Sequence, residues 1–94
     1  MAVRTTRLET HAQVRQQFLD QWEAIAGRNG GTRIPYGDQF PEGQFCGNVV
    51  LKGPIREVML LGTWAFPTEQ AMQDAIAQMD GAVEHRIVIF TKIG

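Results

Sequence analysis

Three side chains are the best candidates for chemistry, because each is of a type that binds small molecules or moves protons. Trp64 lies near the end of an apolar run, where its ring is suited to stacking on a flat aromatic ligand. His85 lies between Val83 and Ile87 in a predicted strand, and imidazole transfers protons near neutral pH. Tyr36 lies in a glycine-rich stretch, and loops of this kind often display binding groups. We predict that Trp64, His85 and Tyr36 line a pocket for a small aromatic or apolar compound.

Each candidate also has a purely structural interpretation. Trp64 suits a core or interface position, His85 a hydrogen-bonded place near a strand start, and Tyr36 an anchor for an irregular connector. Cys46 is expected to behave as a small buried hydrophobe, because no cluster of cations activates its thiol. His11 falls in the first turns of a predicted helix, where we expect it to be exposed to solvent.

No set of residues has the spacing of a metal or cofactor site. A metal ion needs three or four ligands, whereas His11, Cys46 and His85 are far apart in sequence and lack spaced acidic partners. A lone cysteine cannot form an intrachain disulfide. The sequence contains no GxGxxG or phosphate-binding loop, no serine nucleophile elbow and no paired carboxylates. We therefore predict neither a metal nor a cofactor.

The composition indicates one globular domain over residues 1–94. Apolar residues make up 44% of the 94 and charged residues 20%, with a net charge of -1. The cations are not clustered, which disfavours a nucleic-acid partner and a basic membrane-surface helix. No apolar run is long enough to cross a bilayer, and the first residues lack the apolar core of a signal peptide. We therefore expect a cytoplasmic protein with no membrane partner.

A first helix is predicted to end near Ala26, since apolar residues recur on one helical face (Val14, Phe18, Trp22 and Ile25). Two capping boxes leave its start open, at Thr6 or at Thr10. Gly27, followed by Asn29-Gly30-Gly31, is expected to end it. Residues 28–44 are typical of a long loop, with a short extended piece near Thr32–Tyr36.

The second half of the chain predicts two strands, a helix and a final strand. Phe45–Lys52 and Ile55–Phe66 form a hairpin about the Gly53-Pro54 turn. A helix follows Pro67-Thr68 and closes at Gly81, and Val83–Ile93 forms the last strand. If Ala2–Leu8 is also a strand, the order is the ferredoxin-like βαββαβ, with an antiparallel sheet and two helices on one face. If the helix starts at Thr6, the order is αββαβ; we favour the four-stranded version.

Both faces of the predicted sheet are apolar, although two helices cover only one. Strict alternation places Met59, Leu61, Thr63 and Ala65 on one face of the second strand, and Val58, Leu60, Gly62, Trp64 and Phe66 on the other. Exposed apolar patches of this kind usually mark interfaces. The sequence therefore predicts a homodimer that packs two sheets together. The alternatives are a bulge that shifts these faces or a long loop that folds over the sheet.

The segment from Leu60 to Met72 resembles the third strand and second helix of antibiotic-biosynthesis-monooxygenase-like proteins, members of the dimeric α+β barrel superfamily. The resemblance covers residues 45–94 and is carried by a Trp near a strand end, a short turn and an acidic-polar helix start. It implies a ferredoxin-like protomer, a homodimer and a cavity between sheet and helices. Family activities include cofactor-free oxygenation, polyketide cyclisation and haem degradation. Haem-degrading members need a histidine on the second helix, and Thr68–Asp80 contains none.

Two functional hypotheses follow. The first is a small-molecule-binding dimeric α+β barrel protein, acting as a monooxygenase or cyclase on an aromatic or polyketide-like compound. The second is a non-enzymatic interaction protein, such as a small regulator or a mobile-element inhibitor. This protein would bind a protein partner through the apolar sheet face or the 28–44 loop.

Overall fold

The computed structural model describes residues 7–55 and 57–93, which form two helices and four strands. In chain order these are α1 (Arg7–Arg28), β1 (Thr32–Ile34), β2 (Phe45–Lys52), β3 (Val58–Phe66), α2 (Glu69–Ala82) and β4 (Ile87–Lys92). The strands form one antiparallel sheet in the order β1-β3-β2-β4. Both helices contribute to a shared core on one side of this sheet. The predicted α+β class is confirmed, and the arrangement is consistent with a ferredoxin-like protomer.

Helix α1 runs past the predicted stop. Gly27 lies inside the helix, and the chain turns only after Arg28. The backbone N–H of Gly31 donates to the carbonyl of Ala26 at 2.7 Å, while Gly30 takes a φ of 80° that favours glycine. The predicted end near Ala26 is therefore two residues too early, because the glycine of the stop signal that makes the turn is Gly30 and not Gly27.

The start of α1 resolves one sequence alternative. The described helix already includes Arg7, so a start at Thr10 is wrong, and Thr6 lies outside the described residues. Of the predicted strand Ala2–Leu8, residues 2–6 also lie outside the described part of the chain, and Leu8 is helical. The short extended piece expected near Thr32–Tyr36 is strand β1, which supplies the fourth strand of the sheet.

The β2–β3 hairpin contains a bulge that changes which side chains face the core. The register pairs Val49 with Gly62 but Val50 with Leu60, so Leu61 is an extra residue on β3. As a result Leu61 and Trp64 both join the core beneath the helices, although strict alternation puts them on opposite faces. The predicted grouping of Leu61 with Thr63 and Ala65 is therefore wrong beyond the bulge.

Helix α2 and strand β4 are shifted relative to their predicted boundaries. The Thr68 hydroxyl accepts from the Ala71 N–H at 3.1 Å and caps the start of α2, which follows Pro67-Thr68 as predicted. The helix continues through Gly81 to Ala82, so the predicted closure at Gly81 is wrong. The predicted strand Val83–Ile93 is also too long, since β4 begins only at Ile87.

Aromatic side chains fill the space between the sheet and the helices. Trp22 of α1 meets Trp64 of β3 edge to face, with ring centroids 5.9 Å apart, and also contacts Phe66. Trp22 and Phe66 are fully buried, and Trp64 is 2% exposed. Such pairs add about 0.5–1.5 kcal/mol to the gain from burying their area. This core holds β3 rigidly against α1.

Candidate functional site

The side of the sheet away from the helices, which we call the open face, is largely apolar. It comprises the outward positions of β2, β3 and β4 apart from Cys46 and Ala65, which are buried with Ile34: Asn48, Val50, Lys52, Val58, Leu60, Thr63, Ile87, Ile89 and Thr91. The apolar members stay accessible: Val58 is 60% exposed, Ile87 54%, Leu60 52% and Ile89 38%. Lys52 is the only charged member of this set. The open face therefore has the composition of an interface core.

The register arranges the open face in rows. Leu60, Val50 and Ile89 are direct cross-strand neighbours and form a continuous apolar row over three strands. In the next row Asn48 stands opposite both Thr63 and Thr91. The Thr63 hydroxyl donates to the Asn48 side-chain oxygen at 2.8 Å, so part of this row is internally satisfied.

A cleft of about 500 Å³, which we call the β1 cleft, opens at the edge of β3 where β1 ends. Strand β1 pairs with Thr63–Ala65, and no strand of the described residues pairs with the start of β3 on that side. The cleft is lined by residues from α1, β1, the following loop and β3: Arg15, Arg33, Ile34, Pro35, Tyr36, Leu60, Gly62 and Thr63. It reaches from the helix side of the sheet to the open face, since Leu60 belongs to both.

Two arginines form the polar part of the β1 cleft, and packing holds each in place. Half-buried Arg15 donates from Nε to the Leu60 carbonyl at 3.0 Å, at the edge of β3. The Arg33 guanidinium lies over the Trp64 ring, 5.6 Å from its centroid. Its Nη1 atom is 3.5 Å from Glu23 Oε1, and both side chains are nearly half exposed, so this ion pair is weak.

A second cleft, of about 570 Å³, adjoins the first beneath the 35–40 loop. The two share Ile34, Pro35, Tyr36, Leu60 and Thr63, so they are parts of one groove and their volumes overlap. The second also touches Asp38 and Phe40 of the loop. Because Tyr36 is fully exposed and lines both parts, the loop supplies one wall of the groove.

The structure does not bring the three predicted ligand-binding residues together. Tyr36 lines the β1 cleft. Trp64 is buried in the core and does not line the cleft, although the Arg33 guanidinium lies above its ring. His85 is exposed in the turn after α2, with a φ of 59°, and borders a shallow depression of about 240 Å³ with Lys52 and Pro54. The placement of His85 in a strand is wrong, because β4 begins two residues later.

The remaining sequence candidates have structural surroundings. Cys46 is buried in a small cluster with Ile34 and Ala65, as expected for a small hydrophobe. The side chain of His11 lies outside the described residues. Within the described part of the chain, no group of three or more His, Cys, Asp or Glu residues is placed to hold a metal ion. Neither described helix is long and apolar enough to span a bilayer.

Sequence reasoning missed the arginines and Leu60 as residues of the cleft. Arg33 stands two residues before Pro35 and three before Tyr36 in the glycine-rich stretch, which is a weak signal. The sequence contains no signal for Arg15, because its place in the cleft depends on a hydrogen bond to the carbonyl of Leu60, 45 residues away in the chain.

Comparisons with known proteins identify no family for this chain. No protein-family model matches the chain, and searches of curated proteins and of solved structures find no significant match. The resemblance to the dimeric α+β barrel superfamily is therefore neither supported nor contradicted by these comparisons, and it stays a prediction.

Proposed function

We propose that this protein binds a small, partly aromatic molecule in the β1 cleft and acts as a homodimer. The observation that carries the proposal is the cleft itself. Its volume of about 500 Å³ falls within the usual range for ligand sites, ~300–1,000 Å³. Most of its lining is apolar, and a few polar groups converge on it, which is the usual composition of such sites.

The walls suit a flat ligand. Ile34, Pro35 and Leu60 offer apolar surface, and Tyr36 is a ring available for stacking. Trp64 supports the site from behind by holding the Arg33 guanidinium over its indole. Oxygenation or cyclisation of the ligand stays a hypothesis that rests on the family resemblance alone.

The homodimer proposal rests on the open face. Full burial of a Leu or Ile side chain contributes about 1.5–3 kcal/mol. Val58, Leu60, Ile87 and Ile89 are each more than a third exposed, so a covering partner gains a substantial part of this free energy. A second copy of the chain fits this face. Among the positions that define the open face only Lys52 is charged, so two identical faces can pack together with little charge repulsion. Leu60 joins this face to the β1 cleft, so the partner also closes one side of the ligand site.

The second candidate function, a non-enzymatic interaction protein, draws support from the 35–44 loop. Tyr36 and Phe40 expose their rings on it, at 106% and 44% of their reference areas. Exposed aromatic rings of this kind are typical anchors of protein interfaces.

Two measurements test the proposal. Light scattering coupled to size exclusion gives the mass in solution, and the expected result is twice 10.5 kDa. Nuclear magnetic resonance titration of ¹⁵N-labelled protein with two naphthalene probes, 1-naphthoate and 1-naphthylmethanol, tests the cleft. We expect at least one probe to shift the amides of Leu60, Gly62 and Thr63. The amides of Gly53 and His85, at the opposite depression, serve as the control and should not move. A monomer would exclude the homodimer, and the absence of shifts at the cleft amides with both probes would exclude the ligand site.

A further inference from the structure

We propose that the ligand of the β1 cleft carries a carboxylate, and that Arg15 and Arg33 bind it. This inference rests on the proposed function and names the class of molecule that the same cleft takes: a flat apolar body with one anionic group.

The charge of the lining is the first argument. Among the described residues, the lining of the β1 cleft includes two guanidinium groups and no carboxylate, and the adjoining cleft adds the carboxylate of Asp38. Apolar neighbours such as Ile34, Pro35 and Leu60 lower the local dielectric, which strengthens the attraction between a guanidinium and an anion. A neutral ligand would leave both cations without a partner from the ligand.

The donors that the arginines retain are the second argument. A guanidinium has five N–H donors. Arg15 uses its Nε to hold the Leu60 carbonyl, which orients the group and leaves the two terminal nitrogens as donors. This anchoring reduces the entropy lost when a carboxylate binds, since the side chain is already ordered. Arginine is also the side chain whose planar fork matches both oxygens of a carboxylate.

Glu23 is the acidic group that competes for Arg33. Its Oε1 atom is 3.5 Å from Arg33 Nη1, the long limit of a hydrogen bond, and the pair is solvent-exposed. Exposed ion pairs of this kind are typically weak. A ligand carboxylate in the cleft therefore displaces Glu23 from the Arg33 guanidinium or binds the guanidinium together with Glu23. The indole of Trp64 keeps the guanidinium in position when that happens.

The two naphthalene probes test the inference directly. 1-Naphthoate and 1-naphthylmethanol have the same ring system, and they differ in carrying a carboxylate or a neutral hydroxymethyl group. For the unmodified protein we expect naphthoate to bind about tenfold more tightly, as one charge-assisted contact implies. Added salt should weaken naphthoate binding and leave naphthylmethanol binding unchanged.

Arg33→Gln and Arg86→Gln form a matched pair of variants. Arg86 also stacks on a ring, 4.9 Å from the Phe18 centroid, and pairs with Glu57 at 3.7 Å, but it does not line the β1 cleft. We expect R33Q to weaken naphthoate binding about tenfold and naphthylmethanol binding less than about twofold. R86Q should change neither, although it removes the same charge.

The possible outcomes separate the two proposals. Equal affinities of the two probes for the unmodified protein would overturn the carboxylate inference and leave the ligand site standing, and this comparison needs no variant. Equal losses of naphthoate affinity in R33Q and R86Q would also overturn it, because the effect would then be one of net charge. If neither probe shifts the cleft amides, both the site and this inference fail.

Discussion

Replacing Gly62 by alanine should strongly destabilise the protein. Gly62 follows the extra residue of the β3 bulge and has a φ of 137°, where L residues are rarely found. A residue held in such a region costs about 1–3 kcal/mol. An added Cβ would also stand 2.8 Å from Cζ3 of Trp64. That ring cannot move aside freely, because it is 2% exposed and packs against Trp22.

The combined cost is large for a domain of this size. Overpacking in a core typically adds about 1–3 kcal/mol, so we expect G62A to lose roughly 2–6 kcal/mol. Small domains have only about 5–15 kcal/mol of stability in total. Urea denaturation followed by tryptophan fluorescence measures the loss. With a slope near ~1 kcal/mol/M, the midpoint should fall by about 2 M or more.

Gly37→Ala is the matched control. Gly37 also has a positive φ, 90°, but an added Cβ there would meet no atom of the described residues within 4 Å beyond its chain neighbours. G37A should therefore show the backbone strain without the collision and lose about 1–3 kcal/mol. If G62A and G37A lose the same amount, the contact with Trp64 contributes nothing, and our account of the bulge is wrong.

Other substitutions test the helix ends and the open face. Thr68→Ala removes the acceptor of the Ala71 N–H and should cost about 1 kcal/mol in urea denaturation. Gly81→Ala, in open space inside α2, should stabilise by about 0.5–1 kcal/mol; a loss would mean that the helix ends earlier. Ile89→Lys should give a monomer in light scattering at concentrations where Ile55→Lys stays dimeric. Ile55 is 84% exposed but lies in the hairpin turn, off the open face, so equal behaviour would refute the proposed interface.

Elements with regular periodicity can be predicted well from the sequence. Strand β2 matches its predicted bounds of Phe45–Lys52, because it is bounded on one side by Gly53-Pro54 and carries β-branched residues. The apolar face of α1 is confirmed, since Trp22 and Ile25 are buried as their spacing indicates. Helix ends are predicted less well. Gly27 and Gly81 have the pattern of helix stops, yet a helix tolerates a glycine at a cost of about 1 kcal/mol.

The candidate site is predicted poorly from the sequence, and the bulge is the physical reason. Alternation along β3 breaks at Leu61, so the sequence pattern puts Trp64 on the same face as Leu60. A single inserted residue leaves no mark in composition or period, and only pairing with β2 reveals it. The arginines of the cleft cannot be predicted from the sequence for a related reason. Arg15 and Leu60 become neighbours through tertiary contact, and single-sequence periodicity carries no such information.

The bulge also connects the two proposed activities. It turns Trp64 toward the core, where the ring supports Arg33, while the Leu60 side chain remains on the open face. The Leu60 carbonyl anchors Arg15, so one residue contributes to the ligand site and to the proposed interface. Groups shared between two sites couple their free energies, and the coupling is reciprocal. If a second copy packs on Leu60, a ligand in the cleft must therefore change the dimer dissociation constant by the same factor as dimerisation changes the affinity for the ligand.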